Sequence, residues 1–420
     1  MAEQMKPSGV EWIKDIPSSW EINKVKYLAT EPGTLFLDGD WIESDVIEES
    51  GIRYLTTGNV GAGFYKEQGS GYISEKTFSE LHCLNVYPGD LMISRLNEPI
   101  GRACIIPDTE SRYVVAVDNV ILRPNANYNK KFIMYGMNAD GYAEHANMIA
   151  RGATMSRISR SQLGQFWLAF PNIEEQQAIA DFLDKECVRI DSIAADLEKQ
   201  IELLQRYKKS LITETVTKGL DKSMPMKDSG VEWIGKIPAH WDVTRVKYFC
   251  RMYSGENLTS TDIEPDGDYP VYGGNGKRGY YSNFTNDGEH VLIGRQGALC
   301  GNVHLVSGKF WATDHAVVTY PTKEVINKYL YYLFQSMNLN QYSQSAAQPG
   351  LAVNVILALK TCLPSTLKEQ ETIVDFLDDK CLHIDQIILQ KEHQFNILQQ
   401  HKKSLIYEYV TGKKRVKEVR

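Results

Sequence analysis

The chain has 420 residues, of which 43% are hydrophobic and 24% charged, with a formal net charge of −7. That length calls for two or more globular cores, since one core rarely grows past about 250–300 residues. No apolar run approaches the roughly 18–20 residues of a membrane span and no secretion-signal core opens the chain, so a cytoplasmic protein with no membrane partner is expected.

The first recognisable element is Ser8–Ala29, SGVEWIKDIPSSWEINKVKYLA, built around W-[IV]-x-x-I-P-x-x-W from Trp12 to Trp20. It returns as Ser229–Cys250, from Trp233 to Trp241, with 12 of 22 positions identical, so the chain contains a duplicated unit. A variable region follows in each copy, at roughly 30–165 and 251–360, rich in Gly, Tyr and β-branched residues with frequent turn signals. This reads as short strands with a few helices. The two regions share landmarks. Gly58-Asn59 with Gly63-Phe64-Tyr65 matches Gly274-Asn275 with Gly279-Tyr280-Tyr281. Arg95 and Gly101 match Arg295 and Gly301, and Asp118-Asn119-Val120 is aligned with Asp314-His315-Ala316.

A proline then introduces a long helix in each copy, at Pro171 and Pro364. Glu174–Ile212 and Lys368–Ile406 are identical at 20 of 39 positions. Leu183, Ile190, Leu197, Leu204 and Leu211 fall seven apart, with Ile193, Ala194 and Ile201 beside them. Leu377, Ile384, Leu398 and Leu405 hold the same frame, with Ile387, Ile388 and Phe395 on the flank and Lys391 interrupting it. Sustained 3.5-residue periodicity predicts a coiled coil, most simply the two helices paired antiparallel within the chain. A zipper with partners in trans is the alternative. The predicted fold is α+β: two globular mixed α/β domains separated by two long antiparallel coiled-coil helices, with an internal pseudo-twofold repeat. The expected boundaries are 1–170, 171–222, 223–363 and 364–420.

Catalytic apparatus is hard to find. The seven cysteines are odd in number with no C-x-x-C pair, against a disulfide framework or a zinc site. Gly274-x-Gly276-x-x-Gly279 fits a dinucleotide fingerprint by pattern only. Tyr280-Tyr281-Ser282-Asn283-Phe284 opens no apolar helix, so a tight turn between strands is expected. There is no P-loop, no [NDS]-P-P-[YF] motif and no H-E-x-x-H. No metal, cofactor or catalytic residue is assigned to this chain.

Reading duplex DNA needs Arg, Lys, Asn, Gln and Ser on loops that reach base edges, with basic groups for phosphates. An acidic total does not forbid this, because phosphates respond to local patches. The first copy offers Arg95, Asn97 and Arg102 on one loop and Arg151, Ser156, Arg157 and Arg160 on another. The second offers Asn275, Lys277, Arg278 and Tyr280, then Arg295 and Gln296, then Gln344 and Gln348. A sugar-binding surface would also favour Gly, Tyr and Asn. A coiled-coil tandem-repeat scaffold or carbohydrate-binding protein is therefore the rival reading.

The architecture resembles the specificity (S) subunit of Type I restriction–modification systems. The residues that carry the resemblance are Trp12 and Trp233 with their I-P-x-x-W elements, and Glu175-Gln176 and Glu369-Gln370 after a proline. Phe182-Leu183-Asp184 and Phe376-Leu377-Asp378, and the ends Lys208–Ile212 and Lys402–Ile406, belong to the same set. YPVYGGNGKRGYY in the second copy also looks like a target-recognition domain of that family. The resemblance implies two target-recognition domains, each reading half of a bipartite double-stranded DNA site, with the paired helices as a ruler. It implies docking of two methyltransferase (modification) subunits that carry S-adenosylmethionine, and partner restriction subunits that use ATP and Mg. Seam packing accounts for Leu211 and Leu405, and the persistence of the exposed Lys-Lys-Ser before them in both copies is read as the trace of a duplicated docking surface.

Overall fold

The computed structural model describes residues 4–69, 71–150, 156–297, 299–343 and 350–416. The chain divides into two compact units, Met1–Asp196 with Gln394–Arg420, and Leu197–His393. The division falls within both long helices, so each unit combines one variable region with part of each helix. The expected linear partition into reader, helix, reader and helix does not describe these units.

Each copy joins a short helix to a long one: α1 (Lys130–Met137) and α2 (Ile173–Lys218) in the first, α3 (Asn327–Ser336) and α4 (Leu367–Val410) in the second. At 1.5 Å per residue, α2 and α4 are each about 65–70 Å long. Both begin with a side-chain cap after the proline. Asn172 Oδ1 accepts the Glu175 N–H at 2.8 Å, and Thr366 Oγ1 accepts that of Glu369 at 3.3 Å. Both end on a left-handed glycine, Gly219 (φ +68°) and Gly412 (φ +72°).

Those two glycines explain the Trp elements. In the first unit the strands Met5–Pro7 and Asp15–Pro17 pair antiparallel, leading to a fully buried Trp20. A Cβ on Gly412 would lie 2.4 Å from Pro17 Cδ and 3.3 Å from Trp20. In the second unit Met226–Asp228 pairs with Lys236–Pro238, Trp241 is fully buried, and a Cβ on Gly219 would lie 3.3 Å from its ring. Each I-P-x-x-W element therefore seats the C-terminus of the long helix from the other repeat. Only glycine permits both the backbone angle and the close approach.

Each variable region is a mixed α/β domain of the same design. In the first, an antiparallel sheet runs Leu35–Asp38, Asn119–Arg123, Leu91–Ser94, Ala103–Ile105. In the second it runs Cys250–Ser254, Ala316–Pro321, His290–Gly294, Val303–Val306. A three-stranded sheet in each contains one parallel pair, Ile52–Leu55 with Tyr113–Val115, and Tyr269–Gly273 with Trp311–Ala312. The register corrects the sequence alignment by one residue. Ser94 faces Asn119 and Gly294 faces Ala316, so Asp118 is equivalent to His315, and Asn119 to Ala316.

The helix seam is observed. Leu183, Ile190, Leu197, Leu377, Ile384 and Leu405 are buried, and Leu204, Leu211 and Leu398 are partly buried. The pairing is antiparallel in each unit: Lys402 Nζ meets Asp191 Oδ1 at 2.6 Å, and Lys208 Nζ meets Asp385 Oδ2 at 2.6 Å. Lys391, where the frame breaks, lies at the seam edge with its ammonium on Gln200 Oε1 at 2.6 Å. Ile193 does not thicken the seam, being 40% exposed.

Candidate nucleic-acid interface

In the first unit the two basic clusters of the sequence meet. Leu96 pairs with Arg157 in an antiparallel bridge, the Asn97 N–H donates to Ser156 O at 3.1 Å, and Ile158 N–H donates to Arg95 O at 3.1 Å. The result is one rim made of loop 95–102, turn 116–118 and segment 156–160.

Not every basic residue on that rim faces outward. Arg95 is buried, with Nε 3.2 Å from Asp38 Oδ1 and with Nη1 and Nη2 donating to the Ile158 and Val117 carbonyls. Burial pulls its pKa down, and Asp38 opposes that shift. Arg102 donates to the carbonyls of Val60, Thr57, Leu96, Asn97 and Pro99, closing its own loop. Both guanidiniums are occupied in holding the rim together, contrary to the expectation of two edge-reading groups. Their structural role was hidden because residue type alone does not say which carbonyls the fold will bring near. Arg160 joins Asp38 at 3.2 Å and donates to Phe36 O. Exposed groups remain at Asn97, held at φ +60°, and at Arg157, whose Nη2 lies 2.9 Å from Asp118 Oδ1. Arg151 lies outside the described residues.

The second unit builds the same rim from other side chains. Arg295 N–H donates to His315 O at 3.0 Å as Arg95 N–H donates to Asp118 O at 2.9 Å, and Leu351 N–H donates to Arg295 O at 2.8 Å. Gln296 bridges Gly350, and Gly297 takes the left-handed position held by Asn97. Ser254 stands where the first unit has Asp38, and Arg295 Nη1 donates to its Oγ at 2.7 Å. Residues 273–277 form the tight turn expected for the glycine-rich segment, joining Tyr269–Gly273 to Gly276–Tyr281. That turn packs on loop 294–302: a Cβ on Gly294 would lie 2.0 Å from Gly274 O, and Asn302 Nδ2 donates to Asn275 Oδ1 at 3.0 Å. Asn275, Lys277 and Arg278 are exposed on it, with the Lys277 ammonium 3.7 Å from the centre of the Tyr280 ring. In the first copy a shorter hairpin stands here, closed by a single antiparallel bridge between Val60 and Tyr65. There Asn59 fixes the equivalent loop through Thr56 N, Lys66 O and Gln68 O. Gln344 and Gln348 lie outside the described residues.

Sequence reasoning missed the joint between reader and helix. Tyr135 Oη donates to Asp184 Oδ1 at 2.7 Å and Lys131 pairs with the same carboxylate; Tyr332 and Lys328 meet Asp378, each at 2.7 Å. Burial first, then the carboxylate, pushes both phenols well above their ordinary range, so they remain donors. Gln176 accepts from Asn129 N and donates to Asn127 O and Pro171 O. Gln370 accepts from Ile326 N and donates to Glu324 O. The E-Q and F-L-D landmarks thus lock α1 onto α2 and α3 onto α4. A K-x-x-x-Y pattern at 131–135 and 328–332 was the available signal.

Among the described residues no cluster of His, Cys, Asp and Glu could hold a metal ion, and no helix is long and apolar enough to cross a membrane. All seven cysteines are free and buried; burial pushes the Cys104, Cys250 and Cys362 thiols up to about 12. His315 sits 3.9 Å from Asp314, but its counterpart Asp118 pairs with an arginine, so no repeated acid–base pair exists. Each unit presents a rim of hydrogen-bond donors and acceptors held by its own helix joint.

Comparison with known proteins agrees with this geometry. The chain is 44% identical over 132 residues to the EcoprrI Type I restriction enzyme specificity subunit of Escherichia coli, a match covering 30% of this chain and 33% of that one. It is 26% identical over 368 residues to the putative MjaX specificity subunit of Methanocaldococcus jannaschii, covering 83% of each. In fold it is similar to a chain from a study of complex assembly and conformational transition of the type I R-M system, with TM-score 0.73 at 12% identity over 94% of this chain and 98% of that one. The HsdS subunit from Thermoanaerobacter tengcongensis matches with TM-score 0.53 at 13% identity, over 94% and 98% of the two chains. The family model for the Type I restriction modification DNA specificity domain matches residues 20–203 and 238–397. Two matched domains spanning most of the chain, each coinciding with one rim and its helix joint, place this protein in the family of Type I restriction–modification specificity subunits.

Proposed function

We propose that the chain is the DNA-reading and assembly subunit of a Type I complex, working in the cytoplasm without catalysis of its own. Each unit reads one half of a bipartite duplex site, and the paired helices set the gap between halves. The observation that carries this reading is the contrast between frame and rim. The Gln176/Gln370 and Asp184/Asp378 joints are built twice from the same residue types, while the rims they support carry different side chains. A sugar-binding scaffold gives no reason for one frame to hold two unlike surfaces.

The same repeat supports two partner subunits. Val188 and Leu382 are 69% and 61% exposed, and Leu203 and Ile397 are 53% and 50% exposed. Both pairs are related by the repeat of the long helices. Single exposed apolar groups are common, but their recurrence at equivalent positions of both helices supports a repeated docking surface. Two modification subunits dock there and bring S-adenosylmethionine; restriction subunits, where a system has them, bring the ATP- and Mg-dependent activity. Native mass spectrometry of the co-expressed complex tests this, with two modification subunits per chain expected. A stable, saturated one-to-one complex would overturn it. Val188→Glu and Leu382→Glu are each expected to remove one partner.

A further inference from the structure

The turn equivalent at Asp118 and His315 has one backbone and two chemistries. In both units its carbonyl accepts from the loop arginine, at 2.9 Å from Arg95 N and 3.0 Å from Arg295 N. The next residue closes the turn, with Asn119 N–H on Ala116 O and Ala316 N–H on Thr313 O, each at 2.9 Å. A glycine presses on it from the neighbouring strand. A Cβ on Gly39 would lie 2.2 Å from Val115 O, and one on Gly255 would lie 2.2 Å from Ala312 O. Such packing leaves the backbone no freedom, so only the side chain distinguishes the two turns.

The side chains differ in a coordinated way. In the first unit Asp118 holds Arg157, which is 52% exposed, at 2.9 Å. In the second, the position of Arg157 is occupied by Gly350, which has no side chain, and the turn residue is His315, itself 43% exposed. We infer that this turn position determines the specificity of each unit by two means: Asp118 positions Arg157 to read a base edge, and His315 reads one directly. This assignment rests on the functional reading above. An arginine held near a carboxylate through one nitrogen keeps donors of its planar fork for the paired acceptors O6 and N7 of guanine. A partly exposed histidine can offer a ring nitrogen directly to a base edge.

The test is methylation of a duplex library by the assembled complex, scored position by position. His315→Ala is expected to relax one base pair in one half-site by about 5- to 150-fold, the range for a specific edge contact. Arg157→Lys keeps the charge but loses the fork, and is expected to relax one base pair in the other half-site by a similar factor. Asp118→Asn is expected to relax that same position without changing the salt dependence of binding, and Asp118→Glu to restore it in part. All these side chains are at least partly exposed, so unchanged thermal unfolding is expected for each variant. Unchanged preference in both halves for His315→Ala and Arg157→Lys would overturn the assignment, as would an equal loss on all sequences. A wild-type complex with no sequence preference would overturn the functional reading and this assignment with it.

Discussion

Lys208 and Asp385 form an ion pair between α2 and α4, at 2.6 Å, and the pair exists twice. Moving each residue to its repeat equivalent gives Lys402 and Asp191, also at 2.6 Å. The first lysine of Lys-Lys-Ser therefore persists because it fastens the helices together, and the sequence-based view of the whole motif as a docking trace needs that correction. These pairs are partly exposed, with side-chain exposures of 29% and 52% in one and 26% and 56% in the other. Each therefore contributes about 0.2–1 kcal/mol. A double-mutant cycle with Lys208→Ala and Asp385→Ala, followed by thermal unfolding, is expected to give a coupling in that range that falls with salt. A coupling of zero at low salt would contradict it.

His304 lies on the strand Val303–Val306, and burial lowers its pKa from the ordinary 6.5. The neutral ring is the form the fold accepts. Above about pH 6.5 both folded and unfolded chains hold it neutral, and stability is unaffected. As pH falls below that value the unfolded chain takes up the proton more readily, and the second unit loses stability. His304→Gln is expected to flatten the decline in unfolding temperature between pH 6.5 and 5. An unchanged decline would assign it to other groups.

Under the proposed function the helices set the gap between half-sites through their length. Because α2 and α4 run antiparallel, an insertion must be made at the same level in both, after Gln200 and after Lys391, which face each other. Two heptads in each preserve the seam phase and add about 21 Å, or roughly six base pairs of duplex. The preferred gap in the methylated motif is expected to lengthen by about that amount. Full activity at the original gap would contradict a ruler.

Much of the frame is legible in the sequence. Heptad spacing revealed the seam from Leu183 to Leu211, because a helix repeats its face at a fixed interval. Contacts made across the chain left weaker marks. Asp184 meets Tyr135 from 49 positions away, and nothing local announces that pairing. Charge type misled at Arg95 and Arg102, whose partners are carbonyls gathered only by folding. The Asp118–His315 equivalence was misaligned by one residue, since strand register is fixed by hydrogen bonds across the sheet and not by matching letters. Ile193 shows the reverse error, an apolar side chain beside the heptad frame that the fold leaves in water.

The proposed function requires that one chain hold two separable readers. Replacing residues 251–360 alone with the corresponding segment of a relative, then determining the methylated motif of the host genome, tests it most directly. One half of the motif should change, while the other half and the gap remain as before. A motif in which both halves change together would contradict the account.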